Sequence, residues 1–276
     1  MTTRLEHTFA TLRASGKKAL CAYLCMGDPS LAESTALAIA AAEAGADLLE
    51  LGVPFSDPTA DGPVIARAAT RAIHAGSTIL GVIDAAAAIR KRSNVPLVLF
   101  TYYNPVLITG EALVIERAAA AGIDALLVVD LPPEEGADLR ALAAAAGVAM
   151  VPLLTPTSDE TRAGAILDAA RAAGGPKGFL YYVSMTGVTG AGDADFTAAR
   201  AHAAALRARS GWPVLVGFGI DGAEAAKAAA GAGGEGADGV VVGTAIVKRI
   251  QAAATAEARV AAVSGFLRSL REGLDT

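Results

Sequence analysis

An ionisable side chain stands inside the apolar run "DLLELGV", residues 47 to 53, and the loop after it, "PFSDPTADGP", brings two more carboxylates, Asp57 and Asp61. In an extended segment alternate residues face opposite ways, so Glu50 shares a face with Leu48 and Gly52 while Leu49, Leu51 and Val53 share the other. A carboxylate on a buried strand face is costly unless partnered or neutral, so the pKa of Glu50 is expected to be raised. That suits general acid/base work near neutral pH. The alternative is a structural glutamate paired with an interior Lys or Arg, yet neither residue falls within any apolar run of the chain. Glu50 is therefore read as catalytic. Asp61 stays open between chemistry and a common Asp-Gly turn, and Asp57 before Pro58 reads as a turn or helix-start residue.

Three further stretches are rich in glycine: "SMTGVTGAG", "GFGIDG" and "VGTAIV", the last opening a segment of helical period. Glycines let backbone amides approach an anion closely, and a helix N-terminus adds a favourable dipole. Together they read as a phosphate cradle that needs no excess of basic side chains. The histidines, His7, His74 and His202, lie in helix or loop segments, so a strand-borne histidine metal site has no support. All the lysines lie outside the apolar runs, which argues against a Schiff-base aldolase. Carboxylate acid/base chemistry on a small phosphate ester remains.

These residues need a scaffold, and the chain supplies eight short apolar runs at fairly even spacing. They span residues 19 to 25, 47 to 53, 96 to 102, 125 to 130, 149 to 154, 178 to 184, 213 to 218 and 239 to 243. Alanine-rich segments of helical period lie between them, and several end in glycine just before the next run, as in "AEAGADLLEL" and "AAAAGIDALLV". Eight such units predict an α/β (β/α)8 TIM barrel, in one domain over residues 1–276, with an extra N-terminal helix over residues 3 to 14 closing its floor. Barrels of this kind keep their chemistry at the carboxyl ends of the strands, where Glu50 and the glycine loops fall, and often bind phosphate after strands seven and eight. An open doubly wound sheet is the runner-up, but it usually has fewer strands and a glycine fingerprint after the first, where this chain has "CMGDPS".

Composition narrows the class further. No apolar run reaches the roughly 18 residues of a membrane span, and "MTTRLEHTFATLRASGKKAL" scatters charge where a signal peptide is apolar. A cytoplasmic protein is expected. The net charge of -5, without a basic cluster, makes nucleic acid an unlikely partner. Cys21 and Cys25, four apart in one strand, should have Cα atoms about 13 Å apart, too far for a disulfide. They read as buried structural thiols.

In order and over nearly the whole chain, "LLELGVPFSDPTADGP", "TYYNPV", "DLPPEE", "YYVSMTGVTG", "VGFGI" and "VGTAIVKRI" closely resemble the tryptophan synthase alpha subunit family. The resemblance implies retro-aldol cleavage of indole-3-glycerol phosphate to indole and glyceraldehyde 3-phosphate, without metal or organic cofactor in this chain. It implies a partner as well, a beta subunit carrying pyridoxal phosphate that receives the indole in an alpha2beta2 assembly. By motif, Glu50 matches the family's acid/base glutamate and Asp61 the aspartate that holds the indole N–H. Gly190, Gly219, Gly243 and Thr244 match its phosphate-binding positions, with Thr244 standing where serine is common. Phe218, Phe100, Tyr102 and Tyr181 match positions lining the indole pocket or beside it, and Tyr181 and Phe218 are selected as substrate-binding. "SMTGVTGAGDADF" resembles the loop that closes over substrate, Thr189 being the threonine that meets the aspartate loop. The segments "PFSDPTADGP" and "TYYNPV", including Asn104, correspond to loops facing the beta subunit. Two departures stand out: Arg67 replaces a usual glutamine or asparagine, and "AGAGGEGADG" is a longer glycine-rich connection than usual, expected to lie away from the chemical face.

Overall fold

The computed structural model describes residues 2–183, 196–217, 219–231 and 236–276. Its strands are β1 (Ala19–Cys25), β2 (Leu48–Gly52), β3 (Leu97–Thr101), β4 (Ala125–Val128), β5 (Ala149–Met150), β6 (Leu153–Leu154), β7 (Leu180–Val183), β8 (Val214–Gly217) and β9 (Gly239–Val242). The helices are α1 (Arg4–Ala14), α2 (Leu31–Glu43), α3 (Pro63–His74), α4 (Ile79–Arg90), α5 (Tyr103–Thr109), α6 (Glu111–Ala120), α7 (Ala137–Ala145), α8 (Glu160–Ala172), α9 (Phe196–Ser210), α10 (Ala223–Ala230), α11 (Thr244–Ala252) and α12 (Ala256–Leu274). Every strand pairing is parallel, in the order β5-β4-β3-β2-β1-β9-β8-β7-β6.

Parallel strands covered on both faces need apolar side chains on both, which is why β1, β2 and β4 are continuous apolar runs apart from Glu50. One set of side chains, with Leu48, Val98, Leu127, Leu215 and Val241, fills the interior. The alternate set, with Leu49, Leu51 and Val53, packs outward against the alanine-rich helices. Helix starts are fixed by side-chain caps such as Ser30 on the Glu33 amide and Asp159 on the Arg162 amide. At the far ends of α2 and α6, Gly45 and Gly122 take φ of +105° and +77°, the left-handed stop that their position suggested.

Helix α1 is held by a reciprocal capping box between Thr3 and Glu6. Its Leu5, Phe9 and Leu12 join the interior cluster, with the Phe9 and Phe179 rings 5.9 Å apart, so it plugs the floor as expected.

The expected fifth strand, residues 149 to 154, is divided. Pro152 has no N–H to donate, and the ladder stops beside it. The two halves still bridge the sheet: the Val151 amide donates to Leu126 O at 2.9 Å on one side, and Pro152 O accepts from the Tyr181 amide at 3.0 Å on the other. The ring of eight strand positions therefore closes through this segment. No single described helix is long and apolar enough to cross a membrane. Cys21 and Cys25 are both buried and free of disulfide bonds.

Candidate active site

Glu50 sits in the middle of β2, level with Tyr23 on β1 and Val98 on β3. It is 1% exposed, and neither carboxylate oxygen has a hydrogen-bond partner among the described residues. With nothing to stabilise its charge, burial pushes its pKa up to about 8. At neutral pH the side chain is therefore chiefly a neutral acid, ready to give a proton.

Asp61 reaches the same place from the loop after β2. Two tight turns shape that loop, with the Thr59 amide on Asp57 O and the Asp61 amide on Pro58 O, both at 2.9 Å. Asp57 and Pro58 are turn residues here, as read. Gly62 and Pro63 then start α3, proline at the first helical position needing no amide partner. The Tyr102 hydroxyl donates to Asp61 Oδ2 at 3.1 Å and accepts from the Ala60 amide at 3.0 Å. Its ring lies 5.2 Å from that of Phe55, so one tyrosine pins both ends of the loop. Burial raises the pKa of Asp61 to about 6, the Tyr102 hydrogen bond opposing the rise.

Both carboxylates line a cavity of about 370 Å³, with Tyr23, Ile65, Phe100 and Tyr181 as apolar and aromatic walls. The Tyr23 and Phe100 rings meet edge to face at 5.3 Å. Room for the aromatic walls comes from two strand-end glycines, since a Cβ on Gly52 would collide with the Tyr23 ring and one on Gly217 with that of Tyr181.

Gly219, Gly243, Thr244 and Ala245 line another part of the cavity. Helix α11 begins at Thr244 with no side-chain cap on Gly243. The Ile246 and Val247 amides both turn back to Gly243 O, at 2.9 and 3.0 Å, and no described acceptor takes those of Thr244 and Ala245. An uncapped helix N-terminus beside glycine backbone leaves amides that can meet an anion. The cavity thus joins two carboxylates of raised pKa, flat aromatic walls and the uncapped start of a helix.

A family model described as "Tryptophan synthase alpha chain" matches residues 9–274. The chain belongs to the tryptophan synthase alpha chain family. It is 46% identical over 272 residues to the tryptophan synthase alpha chain of Geobacter sulfurreducens, covering 99% of each chain. It is 43% identical over 274 residues to that of Xanthomonas euvesicatoria pv. vesicatoria, covering 99% of this chain and 98% of the relative. Among solved structures it is similar to tryptophan synthase subunit alpha from Legionella pneumophila, with a TM-score of 0.87 and 33% identity over 100% of this chain and 99% of that one.

Of the residues matched by motif to this tryptophan synthase alpha family, Glu50, Asp61, Tyr181, Gly219, Gly243 and Thr244 come together in one cavity. Thr189, Gly190 and Phe218 lie outside the described residues, as does most of the "SMTGVTGAGDADF" segment. Sequence reasoning did not select Tyr23, Lys248 or Arg249, which also line the cavity. Tyr23 could have been found from alternation, because it shares the inward face of β1 with Cys21 and stands level with Glu50. Lys248 could have been found from helical spacing, four residues beyond Thr244. Tyr102 was matched to the pocket region, and the structure gives it a more definite place, on the carboxylate of Asp61. Nothing in the structure explains Arg67, which is exposed on α3.

Proposed function

We propose that Glu50 and Asp61 carry out the reaction of this tryptophan synthase alpha chain, the cleavage of indole-3-glycerol phosphate into indole and glyceraldehyde 3-phosphate. The observation that carries the assignment is the pairing of a neutral Glu50, without a partner among the described residues, with a more acidic, tyrosine-held Asp61 in one cavity. Two carboxyl groups whose environments set their pKa values apart can divide acid and base roles between them.

The chemistry follows from that division. Protonated Glu50 gives its proton to indole C3, leaving a cation whose charge is centred on the ring nitrogen. Ionised Asp61 accepts the indole N–H and stabilises this charge. Glu50, now a carboxylate, takes the proton from the glycerol hydroxyl next to the scissile bond. The carbon–carbon bond breaks, its electron pair returns to the indole ring, and the hydroxyl carbon becomes the aldehyde. Glu50 ends the cycle protonated, as it began.

The aromatic walls of Tyr23, Phe100 and Tyr181 suit a planar bicyclic ring, and the α11 N-terminus suits the phosphate. No group of three or more His, Cys, Asp or Glu that could hold a metal occurs among the described residues. In this reading the chain uses no metal or organic cofactor of its own, and pyridoxal phosphate belongs to its partner.

The chain works with a beta subunit in tryptophan biosynthesis, and we place the contact on the 53–62 loop and α5. Leu107 and Ile108 at the end of α5 are 55% and 77% exposed, unusual for apolar side chains next to a catalytic loop. An alpha2beta2 assembly in the cytoplasm is the expected setting. The test is indole release from indole-3-glycerol phosphate by the purified chain, alone and with a beta subunit plus serine. Slow release that rises with the partner supports the reading; fast release indifferent to it indicates a free-standing lyase, and none in either case removes the lyase assignment.

A further inference from the structure

The cavity presents three carboxylates to a substrate that is itself an anion: Glu50, Asp61 and the exposed Asp221. Glu50 is neutral at working pH, but the other two repel a phosphate dianion. Two cations line the same space, Lys248 and Arg249, and they differ in how far they are committed. The Arg249 guanidinium donates to Ala245 O at 2.8 Å, lies 3.5 Å from the Phe266 ring centroid, and feels the opposing charge of Asp221. Lys248 is exposed, and its ammonium makes neither an ion pair nor a hydrogen bond among the described residues.

Its position suits a phosphate. Residues four apart share one face of a helix, so Lys248 stands one turn above Thr244, whose amide with that of Ala245 opens the anion site. We propose that Lys248 is the cation that draws in and holds the phosphate group of the substrate, the helix amides taking the inner oxygens and the ammonium the outer side. This rests on reading the cavity as a phosphate-ester lyase site. The phosphate takes no part in bond breaking, so Lys248 binds ground state and transition state alike and governs KM rather than kcat. A long flexible side chain at the cavity rim also steers an anionic ester toward an acidic protein, an effect that salt screens.

The test compares the parent chain with Lys248→Met and Lys248→Arg, in indole release and in calorimetric binding of inorganic phosphate. Loss of one charge-assisted contact at an exposed position should raise KM about ten-fold. In Lys248→Met we expect kcat within about two-fold of the parent, a flatter dependence of kcat/KM on salt, and weaker phosphate binding. Lys248→Arg should restore most of the affinity, because it keeps the charge. An unchanged KM with unchanged salt dependence overturns the proposal, as does a fall in kcat at constant KM. If the parent chain releases no indole, the lyase reading fails separately, and phosphate binding decides for Lys248. Weaker binding in Lys248→Met then upholds it; equal binding, or none by the parent, overturns it.

Discussion

At the scale of single residues, the activity should depend on a proton held by Glu50 and a charge held by Asp61. Asp61 must be ionised, which sets an acid limb near 6, and Glu50 must be protonated, which sets an alkaline limb near 8. A pH profile of kcat/KM should therefore be a bell between those values, and a profile flat from pH 6 to 9 would remove both roles. Tyr102→Phe takes away the hydrogen bond that lowers the pKa of Asp61, so the acid limb should move to higher pH while the alkaline limb stays. Glu50→Gln should bind a substrate analogue nearly as well and lose at least about 100-fold in rate. The same variant tests the burial argument. Because the folded pKa of Glu50 lies above its unfolded value of 4.5, the folded state holds the extra proton between pH 4.5 and 8, and stability falls as pH rises through that window. Thermal denaturation should show Glu50→Gln gaining on the parent chain at pH 8 and not at pH 4.

At the scale of elements, the helices and strands were legible because their physics is local. Parallel strands buried on both faces are continuous apolar runs, and helices that end in glycine announce their stops, so the layout could be read before any coordinates. The inward face of β2 followed from alternation alone, which is why Glu50 was found. The partner of Asp61 was not legible, because Tyr102 lies 41 residues away and meets it only across two loops. Nor was the tie between strand-end glycines and aromatic walls, since no periodicity links Gly52 to Tyr23. Gly52→Ala tests that tie: its Cβ would lie 2.6 Å from Tyr23 Cε2 and Cζ, and stability should drop by about 1–3 kcal/mol in denaturant unfolding. Adding Tyr23→Ala should cost less than the sum of the two single changes, because it removes the side chain that collides.

At the scale of the whole molecule, the barrel sets the proposed chemistry and the proposed contact surface side by side. The loop that carries Asp61 and the helix that exposes Leu107 and Ile108 both follow strand ends, and the Tyr102 ring links them through Phe55. Ile108→Lys should leave thermal stability within about 0.5 kcal/mol, as for most exposed substitutions, while weakening the activation of indole release by a beta subunit. Titrating the partner against both forms measures this, and an unchanged half-saturation point would move the contact elsewhere. The eight-unit layout was legible in full apart from its fifth strand, where Pro152 carried a warning that the apolar run around it masked. That break has a consequence for how the protein behaves in a crowded solution. Where β5 ends and β6 begins, the unpaired flank on each side is only two residues long, too short to template a strand from another chain. The sheet yields its continuity at one point, and at that point it still offers no edge on which aggregation could start.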